Sequence, residues 1–106
     1  MTEHALKLIE ENKRTKATFL DLGNCSLENE LPKELFDCVW LEGLNLGDYF
    51  IDDKNEEVES DNYWKSNTFL GNELLKLSAL PNLKKLSFRS NLIRDIRVCF
   101  GIITYL

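Results

Sequence analysis

Three eleven-residue windows of this chain follow one pattern, LxxLxLxxNxL. They are Ala17 to Leu27 (ATFLDLGNCSL), Leu41 to Ile51 (LEGLNLGDYFI) and Leu83 to Ile93 (LKKLSFRSNLI). The repeating positions hold Ala17, Leu20, Leu22 and Leu27, then Leu41, Leu44, Leu46 and Ile51, then Leu83, Leu86, Phe88 and Ile93. All of them are apolar. A pattern that recurs at a period of roughly 20 to 50 residues constrains a fold more than local propensity does, because each copy is one unit that cannot bury its apolar face alone.

The pattern has a physical reading. LxL alternates with period two, so each window holds a short strand with both leucines on one side. Stacking successive strands into a parallel sheet buries that side as a continuous core. The ninth position falls where the chain turns after the strand. An asparagine there can donate to and accept from backbone groups that the turn leaves unpaired. That slot holds Cys25, Tyr49 and Asn91, so the second turn is predicted to be irregular.

Leu20 and Leu44 are 24 residues apart, and Leu44 and Leu86 are 42 apart. The longer interval implies an insertion, placed at residues 52–67 and expected to loop out. Between the windows, Leu31, Leu35, Phe36 and Val39, then Leu74, Leu77 and Leu80, are expected to face inward from short α or 3-10 pieces. Pro32 suits the start of such a turn.

The division read from this spacing has a capping helix in 1–16 and a first repeat in 17–40. A second repeat with the insertion 52–67 spans 41–82, a third spans 83–102, and a fourth begins at 103–106. Glu3 to Asn12 reads as an amphipathic helix with Thr2 as N-cap and Ala5, Leu8, Ile9 and Asn12 on one face, fit to cover the first strand. Ile103 to Leu106 matches the start of a fourth strand, with Leu106 opposite Leu86. The expected array is truncated, and its open C-terminal edge is a candidate for self-association.

Charge narrows the choice of partner. The net charge is −5, and residues 52–61 alone carry six acids and one lysine. No basic patch suited to phosphate backbones is present, so nucleic acid is not expected as a partner. No apolar run is long enough to span a bilayer, and the charged N-terminus lacks a signal-peptide core, so neither membrane association nor secretion is expected. Cys25, Cys38 and Cys99 form no CxxC pair, which suggests reduced thiols in a cytoplasmic protein.

ATFLDLGNCSL with ELPKELF, WLEGLNLG before an acidic insertion, and LPNLKKLSFRSNLIRDI together resemble bacterial intracellular leucine-rich-repeat proteins. Among these are the repeat regions that precede the GTPase domains of Roco proteins. The resemblance covers residues 5 to about 96. It implies an α/β fold: a right-handed leucine-rich-repeat solenoid with a short parallel sheet on the concave side and helical or 3-10 convex segments. It also implies that the concave sheet binds proteins. The P-loop pattern GxxxxGK[ST] is absent from the chain, so a GTPase activity is not implied.

No enzyme, cofactor or metal is expected. His4 is the only histidine and reads as a solvent-exposed helix residue. The acidic run has Val58 where an EF-hand would need glycine, counting from Asp53, so it reads as a solvated loop. Tyr63 and Trp64 read as anchors of that loop on the convex surface or, alternatively, as a partner contact. Asn24-Cys25-Ser26 matches a glycosylation sequon but lies inside a packed repeat. The candidate partner-binding residues are the outward strand positions: Phe19 and Asp21, then Glu42, Asn45 and Asp48, then Lys84, Lys85, Ser87 and Arg89, and finally Tyr105. This row runs from acidic to basic, which would orient a protein ligand.

Overall fold

The computed structural model describes residues 3–52, 54, 56–62, 67–68, 73 and 75–88, and the backbone of 103–105. Thr2, Asp53, Tyr63, Trp64, Leu74, Arg89, Asn91, Ile93, Cys99, Leu106 and the side chain of Tyr105 lie outside the described residues, and so do the readings made of them. The described chain is a small α/β domain with one helix and a short, open parallel sheet.

Helix α1 spans Glu3–Thr15 and buries Ala5, Ile9 and Asn12, with Leu8 packed at the margin of the core. Lys16 ends it in the left-handed region, at φ 59°, with its N–H on the Asn12 carbonyl at 2.7 Å. Asn12 is polar, yet 4% exposed. Its amide donates to the Ala17 carbonyl (3.0 Å) and its oxygen accepts from Trp40 Nε1 (2.7 Å), so burial leaves neither end unpaired. Lys16 in turn lies 4.1 Å above the Trp40 ring. These contacts pin the helix over the first strand.

The strands are β1 (Phe19–Asp21), β2 (Gly43–Asn45), β3 (Tyr49–Ile51), β4 (Glu57–Glu59), β5 (Lys85–Ser87) and β6 (Ile103–Tyr105). β1, β2, β5 and β6 pair in parallel, in that order. Their register makes rungs: Leu20, Leu44 and Leu86 lie side by side, followed by Thr104. The expectation had set Leu106 opposite Leu86; the pairing is two residues earlier. Leu22, Leu46 and Phe88, just past the strands, are all buried in the same core.

The return segments are 3-10 turns, Lys33–Asp37 and Leu75–Ala79, and they stand 42 residues apart like Leu44 and Leu86. A 3-10 turn repeats every three residues. The inward residues are accordingly Leu35, Cys38 and Leu41 in one and Leu77, Leu80 and Leu83 in the other, all buried. Val39, predicted to face inward, is 48% exposed.

The described part of the acidic segment is ordered into strands. β3 and β4 pair antiparallel, with Phe50 opposite Val58, and the resulting hairpin lies against the sheet. The excursion also begins and ends elsewhere than predicted. Its hairpin begins at Tyr49, and Asn67, placed inside the insertion by the prediction, is in the core at 1% exposure, which leaves residues 49–66 between them. Removing those eighteen residues from the 42-residue separation leaves 24, the interval of the first repeat.

Candidate functional site

Asn67, not Tyr49, holds the second turn. Its Oδ1 accepts from the Cys25 and Leu27 amides at 3.2 and 2.9 Å, and its Nδ2 donates to the Leu22 and Leu46 carbonyls at 2.8 Å each. One side chain thus satisfies backbone groups of two successive turns. Tyr49 sits in the hairpin, 36% exposed. The next layer out continues the stacking: Thr68 bridges to Glu28 in parallel, with N–H to carbonyl bonds of 2.8 Å on both sides. The two turns also approach closely at Gly23, where an added Cβ would lie 2.1 Å from the Gly47 carbonyl oxygen. A side chain has no room there.

The outward face of the sheet divides into two parts. One part is a polar row, Asp21, Asn45 and Ser87, one residue from each of three adjacent strands. It is covered. Asn45 is fully buried and Ser87 is 2% exposed, so neither is the accessible contact residue that was expected. The cover is segment 60–62 of the excursion. Ser60 Oγ lies 2.9 Å from both Asp21 carboxylate oxygens, and the Asp61 N–H donates to the same carboxylate at 3.1 Å. Asn45 Nδ2 adds a bond at 2.9 Å, and its oxygen accepts from the Gly47 N–H at 3.0 Å. Asn62 Nδ2 donates to the Asp21 and Gly23 carbonyls. Its oxygen meets His4 Nε2 at 3.0 Å, so His4 is a half-buried strut between α1 and the excursion, not an exposed side chain. Asn24 of the sequon donates to the Asn62 carbonyl at 3.3 Å. Asp48 is half-buried, and its carbonyl accepts from the Ser60 N–H.

The other part stays open. At the starts of the strands, the hairpin and the sheet enclose a cleft of about 540 Å³. Its apolar wall is Phe19 against Phe50, with ring centroids 4.9 Å apart and planes tilted by 45°, together with Ile51. Phe19 is 39% exposed. Gly43 lies directly beneath its ring: a Cβ there would be 3.0 Å from Phe19 Cδ1. Missing side-chain bulk at Gly43 lets the ring lie flat across the neighbouring strand.

The rim is charged, but its charges are engaged. Lys84 Nζ and Glu42 pair across β2 and β5 at 3.7 Å. The Asp52 carboxylate accepts from the Lys54 and Glu56 amides, both at 2.9 Å, which closes the hairpin's own turn. Lys85 Nζ reaches the Asp52 carbonyl at 3.5 Å. Of the candidate binding residues, the structure therefore brings Phe19, Glu42, Lys84 and Lys85 to one cleft. It places Asp21, Asn45 and Ser87 under the excursion and Asp48 at the excursion's base. Phe50 and Ile51 were missed as lining residues.

Among the described residues, no cluster of three His, Cys, Asp or Glu side chains could hold a metal, and no helix is long and apolar enough to cross a membrane. Cys25 and Cys38 are buried free thiols. Burial, with the charge of Asp21 adding to it, pushes the Cys25 thiol up to about 12, and burial also raises that of Cys38. Neither is placed to act as a nucleophile, which needs the thiolate. No protein family, curated protein or solved structure matches this chain.

Proposed function

We propose that this chain is a leucine-rich-repeat module of the solenoid type, similar to the repeats of bacterial Roco proteins, and that it binds another protein in the cytoplasm. The fold part of the reading is supported by the in-register rungs Leu20, Leu44 and Leu86 and by the 24-residue interval that returns when the excursion is set aside. Asn67 bonding to two turns is the role that the ninth position of such a repeat requires.

The binding part rests on one observation: an aromatic side chain, Phe19, is left open at the wall of a cleft on the outward sheet face. Phe19, Phe50 and Ile51 make one apolar wall inside a polar rim, and aromatic side chains are favoured interface anchors. The reading moves the site from the whole concave row to its strand-start end, because the excursion occupies the rest. It assigns the chain no reaction.

A peptide library displayed on phage and selected on the immobilised full chain tests this. Clones that bind are expected to lose about tenfold in affinity on Phe19→Ser, with thermal unfolding unchanged because that side chain is partly exposed. Clones insensitive to both Phe19→Ser and Phe50→Ser, or no clones at all, would count against the reading.

A further inference from the structure

The chemistry of the cleft says what kind of side chain it takes. Three apolar side chains, Phe19, Phe50 and Ile51, form one wall, and the backbone of Gly43 leaves the floor flat. A volume of about 540 Å³ accommodates one or two large side chains, not a whole helix.

The rim decides the charge. The groups whose positions are set by contacts within the chain are Glu42 with Lys84, the Asp52 carboxylate with its own turn amides, and Lys85 with the Asp52 carbonyl. A carboxylate entering the cleft would compete with Glu42 for Lys84, and an ammonium would compete with Lys84 for Glu42. Either would also be taken out of water against phenylalanine rings, and burying a charge without a matched partner is costly. An uncharged aromatic ring meets no such opposition. It gains from stacking on the open face of Phe19, where ring pairs are favoured beyond simple burial.

Resting on the binding reading above, we infer that the cleft between Phe19 and the hairpin accepts an uncharged aromatic side chain of an extended partner segment. The rim sets Lys84 and Lys85 against Glu42 and Asp52, so it favours neither an acidic nor a basic anchor at that position. Phe50 is the specificity element, because the hairpin supplies the second wall of the cleft and the sheet alone supplies only Phe19.

The test titrates the full chain with three capped amino acids, N-acetyl-tryptophanamide, N-acetyl-glutamic acid amide and N-acetyl-lysine amide with its side-chain amine free. Amide signals of Gly43, Phe19 and Phe50 are followed by nuclear magnetic resonance. The neutral aromatic probe is expected to shift those three signals in a saturable way. At equal concentration the charged probes should shift them at least about fivefold less. Phe50→Leu, which keeps an apolar hairpin side chain, should weaken the tryptophan probe several-fold while the dispersion of the spectrum persists. Charged probes acting as strongly as the neutral one, or tryptophan shifts confined to other residues, would overturn the inference. Peptides from the library that depend on Phe19 but anchor through an acidic or basic side chain would overturn it too, while leaving the binding reading in place.

Discussion

The inner face of the parallel sheet and the polar half of its outer face are buried by opposite means. The inner face is dry and aliphatic: Leu20, Leu44 and Leu86 form a rung backed by Leu22, Leu46 and Phe88. The outer face carries a polar row, Asp21, Asn45 and Ser87: segment 60–62 bonds the Asp21 carboxylate, and buried Asn45 bonds Asp21 and the Gly47 backbone. Among the described residues no buried side-chain nitrogen or oxygen lacks a partner. Burial of the inner face is driven by water leaving apolar surface, which is non-directional and tolerant of sequence. Burial of the outer face depends on individual donors meeting individual acceptors. Its net gain per bond is small and its loss on mispairing is large. The inner face holds the sheet together, whereas the outer face fixes where the excursion lies and hence where the cleft opens.

That contrast can be tested by substitution on each side. Leu44→Ala removes the middle of the inner rung and should cost roughly 2–5 kcal/mol, read by urea unfolding. A loss no greater than that of any outer-face variant would break the contrast. Asn67→Ala strands the Leu22 and Leu46 carbonyls and the Cys25 and Leu27 amides. Its cost should be about 1–3 kcal/mol by the same measurement, because unpaired buried groups keep their desolvation penalty. Tyr49→Ala should fall well below it, since Tyr49 is not the turn residue. Ser60→Ala removes the hydroxyl shared by both Asp21 oxygens and should cost about 1 kcal/mol. The amides of β3 and β4 should then exchange faster while those of β1 and β2 are unaffected. Equal acceleration in all four strands would show that the excursion is not a separable cover.

The effect that is smallest at neutral pH and grows in alkali concerns Cys25, whose thiol is raised from its ordinary 9.0 to about 12. The folded state holds this proton more tightly than the unfolded chain does. The associated stability is therefore fully present below pH 9 and is lost as pH rises toward 12. Between pH 9 and 11, Cys25→Ala should show a shallower fall in unfolding free energy than the unsubstituted chain. Parallel curves would remove this thiol from the alkaline loss. With Cys99 replaced by serine, a disulfide reagent at neutral pH should label the folded chain slowly and the unfolded chain at once.

How much of this was legible follows from the same contrast. The inner spine is written in aliphatic identity and spacing, so Leu20, Leu22, Leu44, Leu46, Leu86 and Phe88 could be placed without coordinates. The 3-10 returns were half legible. Leu35, Leu77 and Leu80 were found, but Val39 was misplaced, because on the three-residue period of the turn Leu35, Cys38 and Leu41 take the inward positions. Asn67 was hidden by a coincidence: Tyr49, Phe50 and Ile51 follow Leu46 with an apolar residue in the last slot, so the template closed too early. The interval arithmetic carried the missing signal, since only an eighteen-residue excursion restores 24. Outer-face cover was illegible for a physical reason. Acidic residues in sequence look solvated, and the pairing of Glu57–Glu59 with Tyr49–Ile51 is a non-local choice that no single-window pattern reports. The cleft followed from that hairpin, so Phe50 and Ile51 escaped with it, while Phe19, Glu42, Lys84 and Lys85 were found from the repeat pattern alone.

Asn67 carries one more consequence. Its amide rests 2.8 Å from the Leu46 carbonyl, so the chain leaves and rejoins the scaffold at almost the same spot. A departure point and a return point that touch make a socket: segments of different length or shape could be seated there without disturbing the coils on either side. The hairpin is then one cartridge among those this socket could carry, and swapping it would retool the cleft while the leucine spine stays as it is.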